Sequence, residues 1–256
     1  MFYSDSRSIV DPQDFAYREE IMLPCSQCVL TFGSRTTKTV ISYLENHKQF
    51  PMKIPLYDPT LGEFHGRKIF VATLNIGAPA STLALELLIA SGAKQIIVIG
   101  AAGSIRPDVR IGDIFIPTWG IREEGTSYHY MPPDYIPKPD KKLADKLRDM
   151  ILETDLEDIN VVEGGIWSID AVFRETIDKI RKYREQKVIG VDMESTALMT
   201  VAHYRKVSLA IVHIITDELK EDSWTYTWGS ERAVRGEKIV ALASLKTLAT
   251  FSNRLI

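Results

Sequence analysis

The sequence predicts an α/β protein, a single domain built on a central, largely parallel or mixed sheet flanked by helices. Two observations carry this expectation. Short apolar, β-branched runs alternate with longer helical segments, and no internal repeat, low-complexity linker or shift in composition divides the chain. Its 256 residues are enough to bury a core and still hold a cleft without disulfides or metals. A composition 45% hydrophobic and 25% charged excludes disordered, collagenous and disulfide-scaffold classes.

Taken in order, residues 1–27 are polar and mixed and read as an irregular N-terminal arm, of a kind that packs on a neighbouring subunit. The first strand is predicted at 28–32, followed by a turn at Gly33-Ser34, a helix near 36–47 and a Pro-containing segment. The apolar run at 67–73 suits a buried strand. Residues 79–93 form the next helix, with Pro79 in its first turn and Ser91-Gly92 closing it. Residues 95–100, QIIVIG, have no polar interruption inside the β-branched run and read as a central strand buried on both faces, ending in Gly100-Ala-Ala-Gly-Ser104. Strands at 113–117 and 159–167 flank a Pro-rich loop, 131–139, and a charged helix, 140–153. The last third gives a strand at 188–191, a helix at 194–204, a strand at 208–216 and a C-terminal helix at 231–253.

Charge and cysteine content narrow the function. The chain has 31 basic and 34 acidic residues, net −3, spread along its length, which leaves no footprint for a nucleic-acid backbone or an anionic membrane. No stretch approaches the roughly 18 apolar residues of a membrane span. The N-terminus lacks the basic flank and apolar run of a secretory signal, so a cytoplasmic protein is expected. Cys25 and Cys28 form one CxxC without the second ligand pair that zinc needs; two half-buried thiols leading into a strand are expected, with no function assigned. No metal or organic cofactor is indicated.

In open α/β sheets ligands bind outside the carboxyl ends of strands. Those ends carry Gly33-Ser34-Arg35, Asn75-Ile76-Gly77, Gly100 to Ser104, Trp167-Ser168, Asp192-Met193-Glu194 and Thr216-Asp217-Glu218. Glycines let backbone N–H groups approach an anion or sugar, a Glu accepts two hydroxyl hydrogen bonds, a Trp stacks on a flat ring and an Asp shares a proton. Together they suit a planar base joined to a ribose. Each also has a plainer reading: Gly100 and Gly103 as a tight turn, Asp217 as an N-cap, Glu194 as a first-turn acid, Trp167 as core. His213 inside an apolar strand reads as a satisfied core residue, and His129 with Tyr128 and Tyr130 as a solvated loop.

The combination is more specific than its parts. VIGVDMESTAL at 188–198 followed by ITDEL at 215–219, and preceded by NIGAPAST at 75–82 and VIGAAGSI at 98–105, resembles the nucleoside phosphorylase and nucleosidase superfamily over about residues 28–250. The likeness is greatest to the hexameric purine nucleoside phosphorylase and uridine phosphorylase branch, including archaeal members with a loop similar to EGTSYHYMPP. That resemblance implies a sheet closed into a distorted barrel and a homohexamer built as a trimer of dimers. It also implies phosphorolysis, in which a nucleoside and inorganic phosphate, the co-substrate, give free base and ribose 1-phosphate. By the same resemblance Met193 and Glu194 would bind ribose, Trp167 would stack on the base, Asp217 would act as the acid of purine enzymes, and Gly33 would be the phosphate-loop glycine. The chemistry agrees. The leaving base must be relieved of developing negative charge by a proton, and burial in a dry cleft helps a carboxyl keep one.

Departures from the pattern fall on the phosphate site. Where phosphorylases carry an Arg before the central glycines and a Ser or Thr after the first of them, this chain has Val98 and Ala101; where a further Arg is expected in the first loop it has Thr37. Gly100, Ala101, Arg35 and Lys53 are the remaining candidates to contact phosphate, though neither cation is an aligned replacement. Nucleosidases, which use water, also lack the first Arg, but the Glu that activates water is missing from the first loop here. Three readings therefore stand: phosphorylase, nucleosidase, and a non-catalytic nucleoside-binding protein. Asp217 favours a purine. The Gln-x-Arg pair that reads uracil is absent near Arg174, which would have to serve from a shifted position, so uridine ranks second.

Overall fold

The computed structural model describes residues 2–19, 21–227 and 229–251. Ten strands form one mixed sheet in the order β10-β9-β6-β7-β8-β5-β1-β4-β3-β2, and a second pairing between β9 and β5 closes five of them, β5, β9, β6, β7 and β8, into a barrel. The strands are β1 (Gln27–Thr31), β2 (Glu45–Gln49), β3 (Leu56–Phe64), β4 (Arg67–Leu74), β5 (Gln95–Ser104), β6 (Ile114–Glu123), β7 (Val161–Ile169), β8 (Val188–Asp192), β9 (Ser208–Leu219) and β10 (Trp224–Tyr226). The helices are α1 (Pro12–Arg18), α2 (Ser34–Ile41), α3 (Ala78–Ala90), α4 (Lys141–Leu152), α5 (Ile177–Glu185), α6 (Ser195–Tyr204) and α7 (Glu231–Thr250).

The central strands are apolar on both faces because each face meets helices. Along β5, Ile96 and Val98 enter a core with Leu85 and Leu88 of α3 and Leu198 of α6, while Ile97 and Ile99 enter a second core with Leu147 of α4 and Val240 of α7. This two-residue alternation splits one continuous apolar run between two layers. Helix α4 shows the matching pattern. Leu143, Ala144, Leu147 and Ile151 fall on one face and are buried, and the Asp140 carboxylate caps the helix by accepting from the Leu143 N–H at 3.0 Å.

Several sequence expectations need correcting. The arm contains helix α1, whose N-cap Asp11 accepts from Gln13 N–H and whose first residue is Pro12. The helix predicted at 36–47 stops at Ile41, and residues 45–49 form an edge strand, β2, exposed throughout and paired with β3. The central strand does not end at Gly100; β5 runs on to Ser104. Small residues let it continue, since a Cβ at 100 would lie 2.7 Å from Nδ1 of His213 and one at 103 would lie 2.7 Å from Oδ2 of Asp217. At this end β5 pairs with both β9 and β8, with Gly103 opposite Asp217 on one side and Val191 on the other. The register slips by one residue at Ala102/Gly103, a bulge at the rim of the barrel. Residues 252–253, predicted as the end of the last helix, lie outside the described residues.

One buried acid ties two loops and a helix together at the edge of the sheet. Asp113, fully buried, accepts from Arg110 N–H at 2.7 Å and Asn160 N–H at 2.8 Å and pairs with Arg232 of α7. Asp113→Ala strands these donors and removes the buried one of the two carboxylates, Asp113 and Asp158, that pair with the largely buried Arg232 guanidinium, a loss of about 3 kcal/mol. The expected fall in Tm, by calorimetry, is roughly 6–12 °C for a chain of this size.

Candidate active site

A cavity of about 470 Å³ opens at the carboxyl ends of β1, β5, β8 and β9, and the glycine segment Gly100 to Gly103 forms part of its wall. Of the residues predicted from the sequence, Gly33, Arg35, Gly100, Ala101, Met193, Glu194 and Asp217 all line it. They come from four separate segments of the chain, brought together by the barrel closure.

Glu194 sits at the start of α6 and is 7% exposed. Its Oε1 accepts from the N–H of Gly77 at 2.7 Å, so NIGAP and DMEST, far apart in sequence, meet in one hydrogen bond. Gly77 has φ of 99°, a conformation that glycine adopts without strain. Burial, reinforced by neighbouring Asp192, pushes the Glu194 carboxyl up to about 8. Asp192 is fully engaged beneath it, accepting from Ser168 Oγ at 2.5 Å and from the Ser195 N–H at 2.9 Å. Asp217 accepts from Trp224 Nε1 at 3.0 Å and from Thr216 Oγ1 at 2.9 Å.

Three predicted residues do not reach the cavity. Trp167 is fully buried, with its ring 4.7 Å from that of Tyr183. The pleat explains this: Ser168 turns toward Asp192 and the site, so its neighbour on β7 must turn the other way. Aromatic rings are supplied instead by Phe173, 93% exposed, and by Trp224 and Tyr226 of β10, which stack at 4.6 Å over the opening. Arg174 ends a short 3₁₀ turn, Val172–Arg174, and is exposed away from the cavity that Val172, Phe173 and Glu175 line. Lys53 lies along a separate groove beside the N-terminal arm and pairs with Glu19 at 2.9 Å.

The phosphate end is sparse in cations. Thr37 points into the core, in a ladder of hydroxyls with Thr31 and Thr73 at 2.5 Å each. Val98 is core. Arg35 is the one cation among the described lining residues, and it pairs at 2.8 Å with Glu237, itself one of five acids there with Glu175, Asp192, Glu194 and Asp217. His213 is buried as expected: Nε2 is 2.9 Å from Ser195 Oγ, and Nδ1 faces the Gly100 backbone with no well-aligned hydrogen-bond partner among the described residues. Burial holds its pKa down, which keeps it neutral.

Glu175 was not among the sequence candidates. It stands in a polar stretch with no motif around it, and only the fold brings it to face Asp217 and Asp192. Burial and those two acids push its carboxyl up to about 7.

Glu194 carries a linkage consequence. The folded chain keeps a proton that an unfolded glutamate releases above its ordinary 4.5, so this group's contribution to stability falls as pH rises from there to about 8. Glu194→Gln keeps a carbonyl acceptor for Gly77 and removes that penalty. Its Tm relative to wild type is expected to rise between pH 5 and pH 8, by about 2–4 °C per kcal/mol, and then to level off. A difference unchanged across this range in thermal melts would contradict the assignment.

Comparison with known proteins gives the family of the chain. The family model described as the phosphorylase superfamily matches residues 30–246. A DeoD-type purine nucleoside phosphorylase of Brevibacillus brevis is 29% identical over 164 residues, covering 61% of this chain and 68% of that protein. A DeoD-type enzyme of Bacillus cereus is 28% identical over 160 residues, covering 62% and 67%. Among solved structures, uridine phosphorylase from Vibrio fischeri superposes with a TM-score of 0.78 at 19% identity, covering 92% of this chain and 99% of that one. Purine nucleoside phosphorylase from Toxoplasma gondii, in complex with immucillin-H, superposes with a TM-score of 0.78 at 20% identity, covering 90% and 92%. With the model matched across both glycine motifs, the Met-Glu pair and Asp217, the chain belongs to the phosphorylase superfamily.

Proposed function

We propose that this protein is a nucleoside phosphorylase that cleaves the glycosidic bond of a purine nucleoside with inorganic phosphate. The observation that carries the reading is the placement of Glu194, fixed by Gly77, and Asp217, opposite Gly103, in one cavity walled by the glycine strand. Glu194 would hold the ribose hydroxyls and Met193 would pack on the sugar, orienting it for attack. A phosphate oxygen adds to the anomeric carbon as the bond to the base nitrogen breaks. The bonding pair goes to the base, and Asp217 delivers a proton to a ring nitrogen. Phe173, Trp224 and Tyr226 offer the faces on which a base stacks, the role expected of Trp167 from sequence.

Phosphate would rest against Gly33, Arg35 and the Gly100-Ala101 backbone. Using Arg35 means loosening its pair with Glu237, so weak phosphate binding is expected. A second reading, hydrolysis by water, is favoured by the five acids and single cation, a balance that suits an oxocarbenium-like sugar better than a dianion. We also propose a homohexamer arranged as a trimer of dimers, in which Lys53 approaches a neighbour's cavity. Phe2, Ile9, Val10, Phe15 and Tyr17 on the arm are exposed, as an arm that packs on another copy would leave them. Light scattering is expected to give a mass near six chains; a monomer would overturn the assembly.

Inosine, adenosine and uridine are to be offered with and without phosphate and the products separated by chromatography. Phosphate-dependent release of base with ribose 1-phosphate is expected, most from the purines. Free ribose without phosphate would establish the nucleosidase, and no release from any of the three would leave a binding protein. Asp217→Asn is expected to lower kcat/KM for purine nucleosides by about 10²–10⁴ while nucleoside binding, by calorimetry, changes little. An unchanged rate would remove Asp217 from the chemistry.

A further inference from the structure

Arg35 stands in the first turn of α2, and Glu237 reaches it from α7 at the wall of the cavity. Nε and Nη2 of Arg35 both donate to one oxygen of Glu237, Oε2, at 3.0 and 2.8 Å. The other oxygen, Oε1, accepts from Thr39 Oγ1 at 2.9 Å. The Glu237 side chain is 5% exposed, whereas that of Arg35 is 54% exposed. Among the described residues no other acid of the cavity pairs with Arg35: Glu194 accepts from Gly77, Asp192 from Ser168 and Ser195, and Asp217 from Trp224 and Thr216.

The position of this pair gives it a meaning. Gly33 begins α2 with no side-chain cap, so the free N–H groups of the helix start and the guanidinium in its first turn make this the end of the cavity that suits an anion. The Nε–Nη2 edge of an arginine grips a carboxylate or a phosphate through parallel hydrogen bonds. Here a carboxylate of the protein itself already fills that edge. A phosphate that comes to it must displace Glu237, leaving a buried carboxylate with Thr39 alone and a second anion beside it. Both results oppose phosphate, because a buried charge loses its partner and like charges meet at low dielectric. Water carries no charge and meets no such competition.

We infer that Glu237 is a specificity-determining residue for the nucleophile: its carboxylate competes with inorganic phosphate for Arg35 and so sets how readily phosphate, rather than water, is used. This deepens, and rests on, the reading above of a site that cleaves nucleosides with phosphate.

The test compares wild type with Glu237→Gln, whose amide keeps an acceptor for Thr39 but has no charge with which to hold the guanidinium. Inorganic phosphate is titrated by calorimetry, and kcat/KM is measured for phosphate at saturating inosine and for inosine at saturating phosphate. In Glu237→Gln the affinity and kcat/KM for phosphate are expected to rise by about tenfold to a hundredfold, the value of a hydrogen bond between charged groups, with kcat/KM for inosine constant within about twofold. At a fixed, subsaturating phosphate concentration the ratio of ribose 1-phosphate to free ribose rises in step. Arg35→Gln removes what the two anions compete for, so the double variant is expected to bind phosphate no better than Arg35→Gln alone. Phosphate affinity that is unchanged or weaker in Glu237→Gln, or a gain that survives Arg35→Gln, overturns the inference and leaves the phosphorolysis reading intact. If neither wild type nor Glu237→Gln binds phosphate or depends on it for cleavage, the reading itself falls, and the inference with it. Melting curves establish that each variant is folded, and Glu237→Met, of similar length and uncharged, replaces an amide variant that is not.

Discussion

Everything in the cavity depends on the close approach of three strands at Gly103. There β5 is hydrogen-bonded to β9 on one side and β8 on the other, and the space a side chain would take is filled by the Asp217 carboxylate and by Leu219. The same closure brings the end of β8, with Met193 and Glu194 after it, beside the end of β9 with Asp217. A barrel of five strands has few positions where two carboxyl-bearing strand ends and a bare backbone can converge, and this chain uses the one its glycine creates.

What the sequence made legible was governed by whether burial, or something else, chose the residues. Strands β5 and β9 and helices α3 and α6 read clearly because core packing dictates runs such as QIIVIG. Strand β2 is exposed along its whole length and β10 is a three-residue edge, so backbone pairing alone defines them and no apolar pattern announces them. Helix α1 did carry a signal, Asp11 followed by Pro12, that its polar surroundings obscured. The two tryptophans are instructive. Trp167, at the end of an apolar run, is core, while Trp224, among polar residues, stands at the cavity. Glycines and motif residues could be placed from sequence because their spacing is tied to turns and strand ends; Glu175 could not, because its neighbours in space come from β8, β9 and α5.

The electrostatics of the cavity are lopsided. Among the described residues, five acids share it with one arginine, and that arginine is already paired. In a low-dielectric pocket such an arrangement favours positive charge developing on a sugar and opposes a bound anion. Protons soften the imbalance, since Glu175 and Glu194 are both pushed toward neutrality by burial and by each other's neighbours. The cavity's effective charge is thus set by how many protons it holds rather than by its composition.

Strand β10 has a kinetic consequence. It spans three residues, is hydrogen-bonded on one side only, and carries Trp224 and Tyr226 with most of their surface in solvent. A segment so lightly held opens at little cost compared with unfolding of the domain. Because Trp224 also donates to Asp217, each opening would release an indole and a carboxylate together. The dwell time of a ligand and the polarity around one tryptophan are thereby linked, and the emission of that indole becomes a clock for the opening of the cavity.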